Sequence, residues 1–321
     1  PQDSKNLERV QGRIPALQAS EGNPVQGDVV LAYFNGNNDL ACKLIDIVHS
    51  KRASYVRELC EIPFFGNNDK KSKEGLRDSL ERLFPKIDGF IAISDALVNL
   101  AGSHKSPSAR ILKLPILVDF NEYELADKSA EATVPYIFHS GTLYEQKDGI
   151  LGMIEAFGMV LKRTGGNYRM VCTGDLDRSP EREGIKKLIK EYSLEEKLIF
   201  TGFLSIEELK EKLSKAAFTV INKHDNIQNT YCFSTKLAEY MAAGKAVIIT
   251  DVGEAMNWLE DGRTAWIVKR SDTETLSRAM EKAFTDPTER KAIGEAGRAA
   301  CRKNFDYRSA TEPLKKFLTE L

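Results

Sequence analysis

The sequence predicts an α/β protein built on parallel sheets with helices on their faces. Three observations carry that expectation. Short apolar runs of strand length alternate with longer stretches of helical period, and they do so in two series. Runs such as Ala246-Val-Ile-Ile249 are apolar throughout, as in strands buried on both sides of a sheet. Glycine, serine and threonine punctuate the helical stretches, where turns and caps need them.

The elements run in order. Residues 1–27 are polar; Leu7, Val10, Ile14 and Leu17 have rough helical spacing, which Gly22-Asn-Pro24 breaks. A strand is expected over 28–34, a turn at Asn35-Gly-Asn-Asn-Asp39, a helix over 40–50 and a strand over 53–58. A Gly-, Asn- and Lys-rich loop over 63–73 leads to a helix over 72–84 and a strand over 89–93. Ser94-Asp95 caps a further helix, and 110–114 is a strand edge. Residues 121–133 are acidic and weakly patterned, which marks a linker near Glu124. The second series places strands at 134–140, 168–172, 198–201, 218–221, 246–249 and 265–268. Its helices fall at 150–163, 181–192, 206–215, 273–285 and 287–303, with one more ahead of Gly244. A last helical pattern covers 309–321. The expected domains are therefore 1–123, 124–305 and a terminal helical segment, 306–321, that can cross back to the first.

Composition narrows the function classes. At 321 residues the chain has room for two domains. Forty-six Lys and Arg against 47 Asp and Glu give a formal charge of −1, so no general attraction to nucleic acid is expected. Cys42, Cys60, Cys172, Cys232 and Cys301 show no paired spacing, which argues against a disulfide framework or zinc site and for reduced thiols in the cytoplasm. The four histidines are scattered, and no apolar run approaches the length of a membrane span.

The most informative stretch is 231–250. Ser234 and Thr235 stand ahead of a helical pattern, where a hydroxyl can accept an orphan N–H. Leu237, Tyr240 and Met241 recur at helical spacing, Gly244 ends the helix, and a buried strand comes next. The N-terminus of such a helix is a natural seat for phosphate. Lys236 in its first turn is disfavoured by the helix dipole unless an anion sits beside it. Glu239, one turn in, can accept two hydroxyls of a ribose; a solvated helix glutamate is the plainer alternative. A second signal is Ser140-Gly-Thr-Leu-Tyr-Glu-Gln-Lys147-Asp-Gly149. There a strand runs through a Gly-containing turn into a helix, where open α/β sheets hold phosphates.

These two stretches resemble the nucleotide-sugar site of retaining GT-B glycosyltransferases, glycosyltransferase family 4 (glycosyl transferases group 1) in particular. That family carries two glutamates with seven residues between them, then a helix ending in a small residue and Gly, then a strand. Glu239 matches the second glutamate, and Gly244-Lys-Ala-Val247 matches the helix end and strand beyond it. The first glutamate falls on Tyr231. Gly141, Leu143 and Lys147 match the family's glycine, leucine and lysine, with Thr142 in place of its arginine. The resemblance is strong over 134–305 and weaker over 28–123. It implies two Rossmann-like domains facing across a cleft, the first incomplete relative to the family, as expected of a fragment or of a shortened relative.

The resemblance also implies residue roles. Glu239 would hold the ribose. Lys147, with the helix start at Ser234, Thr235 and Lys236, would hold the diphosphate, beside Gly141 and Thr142. Gly174, ending the strand at Cys172-Thr-Gly174, would lie near the phosphates. Gly202 would approach the base, with Phe203 either against the ring or in the core. Glu61, in Arg57-Glu58-Leu-Cys-Glu61, stands where many relatives carry a histidine near the sugar; it would bind sugar or acceptor hydroxyls, act as a base, or pair with Arg57. The implied reaction moves a sugar from a nucleoside diphosphate to an acceptor hydroxyl on a glycan or lipid-linked intermediate. It would proceed with retention, no metal and no cofactor beyond the donor. A cytoplasmic enzyme with peripheral membrane contact fits that reading. A non-catalytic nucleotide-sugar-binding module, a GT-B epimerase and a phosphorylase remain alternatives, although no pyridoxal-binding lysine context is visible for the last.

Overall fold

A computed structural model describes residues 26–33, 37–63, 70–123 and 131–321. The expected helical pattern before residue 26, the end of the expected strand and start of the expected turn at 34–36, and the Glu124 linker lie outside the described residues. The chain forms two compact units, one of residues 1–114 with 311–321 and the other of residues 115–310.

Among the described residues the first unit carries four strands: β1 (Val29–Ala32), β2 (Ser54–Leu59), β3 (Gly89–Ala92) and β4 (Arg110–Lys113). They pair in parallel in the order β1–β2–β3–β4. The Asn38–Ser50 helix joins β1 to β2; Asn37 caps it by accepting the Leu40 N–H at 3.0 Å. The expected loop over 63–73 is shorter than its composition suggests, because helix begins at Lys70. That helix does not run unbroken to 84. It widens into a π turn at Ser79–Leu83 and then tightens into a 3-10 turn at Phe84–Lys86, where Pro85 interrupts the regular ladder. The terminal Thr311–Thr319 helix packs in this unit, with Phe317 against Val56 and Ile91.

The second unit carries β5 (Tyr136–His139), β6 (Arg169–Cys172), β7 (Leu198–Phe200), β8 (Phe218–Ile221), β9 (Ala246–Thr250) and β10 (Trp266–Val268). The sheet is parallel, in the order β7–β6–β5–β8–β9–β10. Strand order reverses between β5 and β8, the switch point of a doubly wound sheet. β5, β8 and β9 are buried at every residue, which explains their unbroken apolar runs. Ile137, Ile154, Phe157, Met170 and Phe218 fill the core, and Phe284 closes it, stacked at 4.0 Å on Tyr168 and edge-on at 4.8 Å to Phe218. Fully burying each such ring stabilises the unit by roughly 1.5–3 kcal/mol. Two short helices, Glu145–Asp148 and Ile227–Tyr231, were not legible as elements in the sequence.

The Pro287–Phe305 helix lies against the Thr235–Ala242 helix, and the contact is backbone to backbone. A Cβ on Gly294 would stand 2.4 Å from the Gly244 carbonyl oxygen and 3.1 Å from the Ala246 nitrogen. Only glycine allows that approach, so Gly294→Ala should cost about 1–3 kcal/mol by overpacking. Both tryptophans, Trp258 and Trp266, belong to the second unit, so their fluorescence during urea unfolding reads this loss directly. An unchanged urea midpoint would show that the helices separate freely.

Candidate functional site

The site forms where β5 and β8 end. His139, the last residue of β5, is buried at 1% exposure. Its Nδ1 donates to the Val220 carbonyl at 3.4 Å, and its Nε2 has no hydrogen-bond partner among the described residues. Burial, then the nearby Lys236 ammonium, lowers its pKa to about 4, so the ring is neutral at pH 7. Ser140 comes next, with its N–H and hydroxyl both on the Tyr240 hydroxyl, at 2.8 and 2.9 Å. That pair ties the end of β5 to the middle of the Thr235–Ala242 helix.

Gly141 then passes over a buried charge pair. A Cβ there would sit 2.6 Å from His139 Nε2, 2.7 Å from Asp148 Oδ2 and 3.0 Å from Lys236 Nζ. Asp148 is 2% exposed and accepts from Lys236 through Oδ1; its Oδ2 accepts the Thr142 N–H at 3.3 Å. Burial pushes the Asp148 carboxyl up, but Lys236 and its hydrogen bond more than offset this and hold it down to about 2. The anion that the sequence demanded beside Lys236 is therefore Asp148, a residue of the chain itself. Lys236 still has 18% of its side chain exposed, at the Gly141–Thr142 turn.

Lys147 rides on the short Glu145–Asp148 helix, which Gly149 ends in the left-handed conformation at φ 58°. Its side chain is exposed and makes no hydrogen bond or ion pair among the described residues. Its carbonyl accepts from Lys223 Nζ at 3.2 Å, and Lys223 also donates to Asn229 Oδ1 at 3.1 Å. Burial lowers the Lys223 pKa.

The Thr235–Ala242 helix starts at the end of the loop after β8. Ser234 stands at its N-cap, but its side chain makes no capping bond, contrary to expectation; the Leu237 N–H turns to the Ser234 carbonyl at 3.0 Å instead. The first N–H groups of the helix, at Thr235 and Lys236, thus keep no side-chain cap. Glu239 is half-buried, and its carboxylate has no hydrogen-bond partner among the described residues. Burial raises its pKa, and Lys236 works in the opposite direction. Tyr123 lies close enough that the Glu239 charge adds to burial in raising the phenol pKa.

At the ends of β6 and β7 the turns are linked: Gly174 donates to the Gly202 carbonyl at 3.0 Å. A Cβ on Gly174 would stand 2.9 Å from the Gly141 carbonyl, so these turns adjoin the β5 turn. Phe203 is 80% exposed, which removes the core-packing alternative and leaves its ring face free. Glu61 lies just beyond β2 and belongs to the first unit, whereas the residues described above belong to the second. Arg57 is buried in β2, 5.8 Å from the Phe84 ring centroid, and burial lowers its pKa. Gly141, Thr142, Lys147, Gly174, Gly202, Phe203, Ser234, Thr235, Lys236 and Glu239 all belong to the second unit. Asp148 and Lys223 were not singled out from the sequence. Asp148 comes directly after Lys147, but nothing in the pattern showed that it turns inward. Among the described residues no group of three His, Cys, Asp or Glu side chains could hold a metal ion.

A doubly wound parallel sheet with an uncapped helix start, the Lys147 turn and the Glu239 carboxylate just past the carboxyl ends of β5 and β8 has the layout in which open α/β proteins bind ligands. Residues 122–300 match the model of the family described as glycosyl transferases group 1, and the chain belongs to that family. WcaL of Salmonella typhimurium, a glycosyltransferase assigned to colanic acid biosynthesis, is 24% identical over 312 residues, 95% of this chain and 73% of that protein. The alpha-D-kanosaminyltransferase of Streptomyces kanamyceticus is 24% identical over 199 residues, 62% of this chain and 49% of that enzyme. Among solved structures, Anabaena Alr3699/HepE in complex with UDP and glucose matches with a TM-score of 0.72 at 16% identity, covering 92% of this chain and 78% of that one. A glycosyltransferase of Rickettsia africae matches at 0.71 and 18% identity, over 91% and 77% of the two chains. The fold is GT-B.

The buried imidazole gives a pH signature. Its folded pKa lies below its ordinary value, so the unfolded chain takes up the proton first on acidification. Stability from this group is present above about pH 6.5 and declines as the pH falls toward 4, by up to about 1.4 kcal/mol per unit. An NMR titration should find the His139 midpoint near 4. A midpoint at or above its ordinary value would contradict the burial argument.

Proposed function

We propose that this glycosyltransferase moves a sugar from a nucleoside-diphosphate sugar to an acceptor hydroxyl, with retention and without a divalent metal. One observation carries the proposal. The half-buried Glu239 carboxylate stands without a hydrogen-bond partner among the described residues, one turn behind an uncapped helix start, with Lys147 exposed and Lys236 partly exposed in the same unit. A ribose diol satisfies that carboxylate. The diphosphate accepts from the open N–H groups of Thr235 and Lys236 and is countered by the two ammonium groups. Gly202 and the free face of Phe203 then receive the base, and Gly174 lines the phosphates.

In the transfer, the bond from the anomeric carbon to the diphosphate oxygen breaks and the bond to the acceptor oxygen forms on the same face. The acceptor proton goes to the departing phosphate. The protein has to stabilise the leaving diphosphate more than it has to supply a base. Thr142 gives no charge at the place of the family's arginine, so Lys236 takes that share from the helix side. Glu61 is the residue of the first unit to test for sugar or acceptor binding. UDP is the nucleotide to test first, because solved relatives of this fold hold it. The assignment of WcaL to colanic acid biosynthesis supports a glycan or lipid-linked acceptor.

Two outcomes are expected. Glu239→Ala should weaken UDP binding by about 1–3 kcal/mol, the cost of leaving ribose hydroxyls unpaired, and Lys147→Ala should weaken it while sparing uridine. Calorimetry with unchanged UDP affinity in both variants would remove the proposed donor site. Transfer should also proceed undiminished in EDTA. Loss of turnover in EDTA with rescue by magnesium or manganese would overturn the metal-independent reading, and UDP binding with no turnover on any acceptor would favour a binding module.

A further inference from the structure

The turn that carries Lys147 is gripped from one side by the segment that follows β8. Residues 222–229, just after β8, reach residues 145, 146, 147 and 149 with five side-chain bonds. Asn222 Nδ2 donates to the Gly149 carbonyl at 2.7 Å. Lys223 Nζ donates to the Lys147 carbonyl at 3.2 Å. Asn226 Nδ2 and Asn229 Nδ2 both donate to the Gln146 carbonyl, at 2.8 and 3.4 Å. His224 Nε2 meets Glu145 Oε1 at 2.7 Å, and the other oxygen of Glu145 accepts the Leu151 N–H at 2.7 Å. A four-residue helix cannot hold its own shape, since nucleation costs more than so few hydrogen bonds return. Its carbonyls are the groups left over at a helix end, and here side chains from across the switch point satisfy them.

Lys223 is the member of this grip least suited to a passive role. Its side chain is half-buried, its ammonium is committed to one carbonyl and one amide oxygen, and Lys147, Lys236 and Asp148 all act on its charge. Its own backbone is anchored too: the Lys223 N–H donates to Thr250 Oγ1 at 2.8 Å, and that hydroxyl donates to the Lys223 carbonyl at 3.0 Å. The strut therefore runs from the end of β9 through Lys223 to the backbone of Lys147.

We propose that Lys223 is a positioning residue for Lys147: it fixes the Glu145–Asp148 turn so that the exposed Lys147 ammonium is aimed at the diphosphate before the donor arrives. This rests on the donor reading given above. Lys223 does not touch the phosphate; it acts through the backbone of its neighbour in space. A residue so placed changes the geometry of one cation rather than the number of contacts the donor makes.

The test uses the full chain and two readouts. In the free protein, hydrogen exchange at the amides of Lys147, Asp148 and Gly149, which bond back to Tyr144 and Glu145, should be at least about tenfold faster in Lys223→Met. In calorimetry with UDP, Lys223→Met should weaken binding at least about fivefold, leave uridine within about twofold, and lose its effect when Lys147 is already alanine. Asn226→Ala, at the more open edge of the grip, should show the same pattern more weakly, and it serves if Lys223→Met unfolds. Exchange within about twofold of the unaltered protein, or an equal loss of UDP affinity with and without Lys147, would overturn the proposal; the latter would make Lys223 a direct phosphate ligand. If the unaltered protein binds no UDP, the donor reading fails, and the exchange experiment alone decides whether the strut exists.

Discussion

The second unit depends on a buried charge pair. Asp148 and Lys236 come from opposite sides of the switch point, and their contact fixes the β5 turn against the start of the Thr235–Ala242 helix. Two charges taken out of water are costly unless their geometry and remaining hydrogen bonds compensate. Here the Thr142 N–H takes the second carboxylate oxygen, and Gly141 leaves the room in which the two side chains meet. The Ser140–Tyr240 hydrogen bonds brace the same helix a turn further along. Removing either charge would strand the other, which makes this pair a determinant of where the helix starts as well as of local stability.

That arrangement also lets a carboxylate lie within the proposed donor site. Asp148 is held ionised beneath the Gly141 turn, while Lys236 keeps part of its surface toward solvent. Glu239 has the opposite character: half-buried, without a hydrogen-bond partner among the described residues and shifted toward the neutral form by burial. Two acidic side chains within one unit thus have separate tasks, set by what surrounds them. One organises the protein; the other is available to a ligand.

Much of this was legible in the sequence because it is encoded locally. The unbroken apolar runs at Phe218–Ile221 and Ala246–Thr250 read as buried parallel strands, and they are. Gly141, Lys147 and Glu239 could be named because the turn and helix that carry them have local signatures. Long-range partners left no such trace. Asp148 and Lys236 are 88 positions apart, and Lys223 and Lys147 are 76 apart, so neither pairing has a sequence period. The short helices at Glu145–Asp148 and Ile227–Tyr231 escaped for related reasons: side chains from elsewhere hold the first, and the second is too brief to show a helical repeat. The Ser234 cap failed because a capping residue type does not fix the direction of its hydroxyl.

The lysines around the Gly141 turn have a consequence for how a charged molecule arrives. Lys147, Lys236 and Asp148 all act on the Lys223 charge, and Glu145 shares the Lys147 turn, in a chain whose formal charge is −1. The protein as a whole therefore offers an anion no long-range attraction, and what attraction there is comes from the exposed Lys147 and the partly exposed Lys236. Such an attraction reaches only about a Debye length, roughly 8 Å at physiological ionic strength, before mobile ions cancel it. Capture is then short-ranged: an anion must diffuse nearly into place before it is drawn in, and added salt slows its arrival more than it hastens its departure.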